Sequence, residues 1–235
     1  MLHTLETPEG LHQAGRTGRV SEHSLRWFPG DSLAERFARA LARRSAVPMK
    51  ELVEAFEFFA AVRKDLRART LADLCAGHGL VGVLFALHER RLETVHLVDR
   101  STPASRTLVL EAADEVGPWV REKIVEHETT LARLDGLEPG TAVVAVHACG
   151  TRTDRCLDLA LELAGPVALM PCCHSHRSCP SSPAVAGALG HEVAIDVERT
   201  YRMEAAGLRV RWTEVSPAIT PRNRVLIGRR GSRRP

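Results

Sequence analysis

Aromatic residues make up only 4% of the 235 residues, with one tyrosine and three tryptophans, and lysine is rarer still, at three against 29 arginines. Such an arginine bias reflects base composition as readily as function, so arginine alone does not argue for nucleic acid. No stretch approaches the roughly 18 consecutive apolar residues of a membrane span, which excludes a transmembrane helix. The first residues, MLHTLETPEG, lack the basic and apolar regions of a signal peptide, so a cytoplasmic protein without membrane contact is expected. There is no internal repeat, which excludes a solenoid. Cysteine is sparse along most of the chain: five of the six lie between Cys149 and Cys179. That clustering is no disulfide framework; it points to a site or to small core residues.

What remains is ordinary globular material, 44% hydrophobic and 26% charged with a formal charge of +3. A chain of this length suits one α/β domain with a short extension. Residues 1–28 show weak periodicity and read as a loosely held arm. Asp31 or Ser32 caps a helix with Leu33, Phe37 and Leu41 on one face and Arg36, Arg39 and Arg43 on a neighbouring, solvated one. A second helix starts near Pro48 and carries Met49, Leu52, Val53, Phe56 and Phe59 at helical spacing. From Thr70 onward the pattern changes. Strands are expected at 71–75, 94–98, 123–127, 141–147, 165–171, 207–214 and 224–228, with helices between the first five or so, which is a doubly wound, mainly parallel α/β sheet. The last two have no room for a helix between them and pair antiparallel. The division expected is 1–69, arm and helical extension, and 70–235, the sheet domain.

The stretch DLCAGHGLVG, residues 73–82, is a glycine turn between a strand and a helix, where missing side chains let a ligand approach backbone N–H groups. Two cofactors suit it. A dinucleotide would use Gly77, Gly79 and Gly82, with Asp99 about 20 residues on for its ribose. Asp73, on the last buried residues of the strand, would repel a pyrophosphate yet attract the ammonium and sulfonium of S-adenosylmethionine; alternatively it caps the turn. The closing antiparallel pair also favours S-adenosylmethionine.

DLCAGHGLVG, VHLVDR, VHACGTRTDRCLDLAL, LMPCCHS and ITPRNRVLIG, in that order, resemble a class I S-adenosylmethionine-dependent methyltransferase, of the group that pairs an HACG-x-x-TD segment with a PCC segment. That group includes a tRNA 2′-O-methyltransferase. The resemblance spans residues 70–228 and implies a Rossmann-like seven-stranded sheet; the N-terminal helical extension, residues 1–69, lies outside it. It also implies that Asp73, Cys75, Gly77 and Gly79 line the methionine end of the cofactor, that Asp99 accepts from the ribose hydroxyls and that Glu128 faces the adenine. Cys75 stands where many such enzymes have glycine.

His147, Cys149 and Gly150 follow one apolar run and Cys172, Cys173 and His174 the next, so both clusters belong to the carboxyl ends of neighbouring strands, where ligands of open sheets bind. His147 is a candidate base for the acceptor, with Asp154 either orienting it or capping its own helix. Cys149, Cys172 and Cys173 are candidates to border the methyl-transfer pocket. Metal ligation and plain packing are the alternatives; adjacent cysteines are poor occupants of two tetrahedral corners, and no metal is assigned. Cys156 reads as packing. His176, Arg177 and Cys179 belong to a polar loop, and Thr220–Asn223 to a turn. Between Arg209 and Arg234 lie eight arginines and one acid, Glu214, a strip able to follow the phosphates of an RNA acceptor. Aromatic stacking is scarce there, with only Trp212. The rival classes are a metal-binding or thiol-sensing protein on the same fold and a nicotinamide oxidoreductase.

Overall fold

The computed structural model describes residues 2–175 and 180–231. Helices α1 (Pro8–Ala14), α2 (Leu33–Arg43) and α3 (Met49–Val62) precede strand β1 (Thr70–Leu74) and helix α4 (Leu80–His88). Strand β2 (Thr94–Asp99), helices α5 (Ala104–Val116) and α6 (Val120–Lys123), and strand β3 (Ile124–Glu128) follow. Strand β4 (Ala142–Val146), helix α7 (Arg152–Glu162) and strand β5 (Val167–Met170) lead to helices α8 (Pro183–Leu189) and α9 (His191–Ala205). Strands β6 (Leu208–Glu214) and β7 (Arg224–Arg230) end the fold.

Among the described residues seven strands form one sheet in the order β3-β2-β1-β4-β5-β7-β6. β1 to β5 run parallel, whereas β7 pairs antiparallel with both β5 and β6. This is the doubly wound, mainly parallel sheet with a closing antiparallel pair expected from the strand pattern. Alternate side chains of each strand face opposite layers. Leu71, Val95, Ala142, Val144 and Ala168 meet α2 to α5, while Ala72, Leu74, Val143, Ala145 and Leu169 meet α7 and α9. All six phenylalanines are buried, and the five of α2 to α4 and Phe28 lie in the first layer. Phe59 of α3 meets Phe85 of α4 edge to face, with ring centroids 4.9 Å apart and planes at 87°. Helix α4, LVGVLFAL, is buried on every side because it lies between the sheet and α3. Gly82 makes that possible: a Cβ there would stand 2.4 Å from Leu97 Cδ2.

Three expectations need correction. Residues 2–28 are not a loose arm. Leu2, Val20 and Phe28 are fully buried, Thr4 Oγ1 donates to Trp27 O at 3.0 Å, and Val20 N donates to Val47 O at 2.9 Å. Short 3₁₀ turns at His3–Leu5 and Glu22–Trp27 interrupt the segment, and its buried side chains are isolated, which leaves no period to read. No helix joins β3 to β4; residues 129–141 are turns. Finally, Arg36 and Arg43 of α2 are exposed as expected, but Arg39 turns back and donates to Phe28 O at 2.7 Å. Ser32, not Asp31, caps α2, accepting from Glu35 N. Among the described residues no helix is long and apolar enough to cross a membrane.

Candidate functional site

The turn after β1 is held in a conformation that few residues adopt. Cys75, Gly77 and Gly79 have φ of 60°, 51° and 77°. Positive φ strains a residue with a Cβ, so the thiol at 75 occupies a position that suits glycine. A Cβ added at Gly77 would meet nothing within 4 Å; the space beside this glycine is open. Beneath the turn the fully buried guanidinium of Arg106 donates to Gly77 O through Nε at 2.9 Å and Nη2 at 2.7 Å. Gly77 N donates to Asp99 Oδ2 at 2.8 Å, and Arg100 N to Asp99 Oδ1 at 2.7 Å. A carboxylate accepts about four hydrogen bonds, so Asp99 keeps capacity for two hydroxyls. Glu128 pairs in register with Asp99 on the next strand, is exposed, and accepts from Thr102 N at 3.2 Å.

Asp73 is buried and accepts from Gly82 N at 2.9 Å. The capping alternative is therefore present in the structure, and it leaves most of the carboxylate without donors. Burial pushes its pKa up to about 7, opposed by the Gly82 N–H and by Arg106 and reinforced by Asp99. A buried acid this poorly compensated would be stabilised in its charged form by a cation placed beside it.

A cavity of about 330 Å³ opens here, bordered by Asp73, Cys75, Gly77, His78, His147 and three residues of α3, Lys50, Glu51 and Glu54. His147 follows β4 with φ of 56°, and its N–H donates to Met170 O at 3.0 Å. Its Nε2 stands 2.9 Å from Oε2 of the buried Glu54, off the line of a regular hydrogen bond. Lys50 Nζ lies 3.3 Å from the other oxygen of Glu54. Glu51, one turn away, meets His78 Nε2 at 3.0 Å, and this hydrogen bond holds its carboxyl below the usual range. Nδ1 of the same imidazole contacts Ser105 Oγ. His78 thereby ties α3 and α5 across the glycine turn.

Of the residues expected at the site, Asp73, Cys75, Gly77 and His147 line this one cavity, Asp99 braces its floor, and Gly79 starts α4. Cys149, Cys172 and Cys173 are not part of its lining; they form a group of their own where β4 and β5 end. Among the described residues no hydrogen bond or ion pair joins Asp154 to His147. Asp154 is buried and accepts from Arg199 Nε and Nη2 at 3.0 and 2.8 Å and from Arg202 Nη1 at 3.1 Å. The carboxylate against His147 is Glu54. Cys156 is buried among the residues between the sheet and α7, as packing requires. His176, Arg177 and Cys179 lie outside the described residues.

Lys50, Glu51, Glu54 and His78 were missed. Glu54 did leave a signal: it falls among Leu52, Val53 and Phe56 on a helix whose other residues at those positions are core, and an acid there needs a partner.

A sheet in this order, with its last strand antiparallel and an acid-lined glycine turn after β1, defines the class I S-adenosylmethionine-dependent methyltransferase fold. A family model described as a methyltransferase domain matches residues 48–178, more than half of the chain, and the protein belongs to that family. It is an S-adenosylmethionine-dependent methyltransferase, with S-adenosylmethionine as cofactor. Among solved structures, SibL, an S-adenosylmethionine-dependent methyltransferase in its apo form, is 17% identical with a TM-score of 0.51, covering 94% of this chain and 69% of its own. The methyltransferase domain of bacterial CtHen1-C is 16% identical with a TM-score of 0.50, covering 78% and 100%. The magnesium protoporphyrin IX methyltransferase of Synechocystis PCC 6803, solved with bound S-adenosylhomocysteine, is 14% identical over 77% and 83%, with a TM-score of 0.49. Comparison with curated proteins gives no match. The residues present suit the cofactor: the under-compensated Asp73 beside the cavity suits a cationic end, and Gly77 leaves the approach to the backbone open.

Proposed function

We propose that the protein methylates an oxygen or nitrogen of an RNA acceptor, as a member of the group that pairs HACG with PCC. When bound, the cofactor supplies a methyl group already activated by its sulfonium. Asp73 and the backbone of Cys75, Gly77 and Gly79 hold its methionine end, Asp99 accepts from the ribose hydroxyls, and Glu128 stands on the adenine side. His147 takes the proton from the attacking atom. Glu54 orients the imidazole and stabilises the imidazolium that forms, so what the chain contributes is positioning and proton removal. The observation that carries this reading is the approach of Glu54 to His147 at 2.9 Å on the wall of the cavity. Residues 1–69 form a helical extension that closes one side of that cavity through α3, and 70–235 form the cofactor domain. Five free thiols among the described residues fit a reducing, cytoplasmic setting.

The RNA reading draws on basic surface. Arg152 and Arg222 are exposed near the ends of β4 and β5. A second cavity, of about 710 Å³, lies at the opposite end of the sheet between the ends of α3 and α4 and is lined by Arg63, Lys64, Arg67, Arg69, Arg90 and Arg91. The C-terminal strip joins this second surface, because Arg229 of β7 and Arg211 of β6 both pair with Asp65, at 3.2 and 2.6 Å. RNA held there crosses roughly one strand length, about 17 Å for five residues, to reach His147. The experiment is transfer of labelled methyl from S-adenosylmethionine into fractionated RNA, protein and small-molecule pools. Ribonuclease-sensitive label in the RNA pool is expected; label confined to protein or small molecules overturns the RNA acceptor.

A further inference from the structure

Cys149 and the adjacent pair Cys172 and Cys173 converge beyond the ends of β4 and β5. The Sγ atoms of Cys149 and Cys172 stand 2.8 Å apart and those of Cys172 and Cys173 3.6 Å apart, and all three lie within 4.8 Å of one another. Carbon atoms in ordinary packing sit about 3.5–4.0 Å apart, and sulfur is larger, so Cys149 and Cys172, at 2.8 Å, are closer than packing alone brings them. Packing also fails to explain Cys173, which is exposed. Four thiolates about 2.3 Å from one tetrahedral ion stand about 3.8 Å from each other. The neighbouring pair at 3.6 Å is within that reach, so adjacency in sequence does not bar Cys172 and Cys173 from sharing an ion.

The surroundings are tied down on both sides. On the β4 side, Gly150 has φ of 68°. Thr153 Oγ1 closes the same turn by donating to Ala148 O at 2.6 Å. On the β5 side, the residue after the cysteine pair, His174, is anchored through Nε2 to Asp196 Oδ1 at 3.1 Å. Asp196 is fully buried and is held in turn by Arg199 at 3.0 Å and Arg224 at 2.6 Å. Arg152 Nε donates to Cys149 O at 3.1 Å, and Arg222 pairs with Glu192.

We propose that Cys149, Cys172 and Cys173 bind one thiophilic d¹⁰ metal ion, Zn(II) or Cu(I), through three thiolates, with one coordination position open on the exposed Cys173 side. Uptake breaks three S–H bonds, releases three protons to solvent and forms three metal–sulfur bonds, with no change of oxidation state. The guanidinium of Arg152, on the Cys149 carbonyl, offsets part of the net negative charge. The site is separate from the cavity that holds His147 and does not depend on which acceptor the enzyme methylates.

The test uses the full chain, untagged, reduced and stripped with a chelator, then titrated with Zn(II) against a chromophoric chelator and with Co(II) as a spectroscopic probe. About one equivalent of Zn(II) is expected, together with a Co(II)–thiolate charge-transfer band. Both should fall more than tenfold in Cys149→Ser and in Cys172→Ser and persist in Cys156→Ala. Because a serine variant can misfold, peptide mapping after alkylation provides a second readout on the unaltered protein. Zn(II) should protect Cys149, Cys172 and Cys173 and leave the rest as reactive as before. Uptake of Cu(I) by the same three thiols in place of Zn(II) supports the proposal and settles which ion is preferred. Failure to take up either ion overturns it, as does equal uptake by Cys149→Ser, protection of other cysteines, or a Cys149–Cys172 disulfide that yields no metal-binding site when reduced.

Discussion

The two ends of the parallel sheet carry opposite chemistry. At the carboxyl ends of the strands stand Asp73, Asp99, Glu128, His147 and the three thiols, with Glu51 and Glu54 brought over them by α3. At the amino ends stand Arg63, Lys64, Arg67, Arg69, Arg90 and Arg91, joined by Arg229. Position in a parallel sheet explains the first set, because strands end there with helix N-termini and open backbone donors facing a crevice. The second set has a local origin. It follows the last turns of α3 and α4, where cations meet the partial negative charge of a helix C-terminus. Some of these cations are already engaged: Arg63 pairs with Glu89 at 2.7 Å and Arg69 with Glu93 at 2.6 Å. The acidic end accordingly suits a small cationic cofactor and the basic end an extended anion. Substitutions at the first should alter turnover, and substitutions at the second should alter only the hold on a long acceptor.

The largest effect is expected where His147 meets Glu54. His147→Ala should lower turnover by about 10²- to 10⁴-fold, the usual worth of a positioned base. Glu54→Gln should lower it less, because the amide still orients the ring. Binding of S-adenosylhomocysteine, measured by calorimetry, should stay nearly unchanged in both. Equal losses in binding and turnover would make these residues part of the cofactor cradle and not the acceptor side.

That pair also marks the limit of what the sequence discloses. The sheet is legible because buried parallel strands are written as short apolar runs, AVVAV and VALM among them, and β7 and β6 are joined by a link too short for a helix. The glycine turn and the two strand ends carrying histidine and cysteine are legible for a related reason: residues just after such runs belong to the crevice. Glu54 is not, since its meeting with His147 depends on how α3 lies over β4, a matter of tertiary packing. Asp154 misled in the same way. Its position in the first turn of α7 reads as a cap, yet Arg199, 45 residues further on, takes the carboxylate into a buried ion pair. The helical expectation for residues 129–141 failed because Gly136, Pro139 and Gly140 allow turns throughout, and in residues 2–28 isolated buried side chains follow no period.

A smaller effect concerns Asp73. In the folded protein its pKa is pushed from 3.8 up to about 7 by burial. Between about pH 4 and 7 the folded state therefore retains a proton that the unfolded chain has lost. Stability contributed by this group is full below about pH 4, falls as pH rises through about 7 and is level above it. The whole change is at most roughly 4 kcal/mol, at 1.36 kcal/mol for each tenfold change in proton affinity. Asp73→Asn still accepts from Gly82 N but cannot ionise. The difference in unfolding free energy between the two proteins, followed by denaturant titration from pH 4.5 to 8, should move towards the variant as pH rises. Saturating S-adenosylmethionine should flatten that trend by placing a cation beside the charged form. A difference independent of pH would mean that water or a donor already compensates the carboxylate.

The smallest effect is expected at the basic end, where each arginine adds one contact among several. Lys64, Arg67, Arg90 and Arg91 have no ion pair among the described residues, unlike Arg63 and Arg69, so they are the cations free to meet phosphate. A cation that neutralises one phosphate releases condensed counterions and contributes about 0.7 to 0.9 to the slope of log affinity against log salt. Arg90→Gln alone should thus flatten the slope by about that amount, and Arg67→Gln with Arg90→Gln by about twice it, while methyl transfer to a short acceptor keeps its wild-type turnover. Arg63→Gln serves as the control: its guanidinium is engaged with Glu89, so its loss should change the slope less than the loss of Arg90. Identical slopes in all variants would remove the amino ends of the strands from acceptor binding. The exposed Arg152, beside the thiol cluster, would then be the next cation to test as the route by which RNA approaches His147.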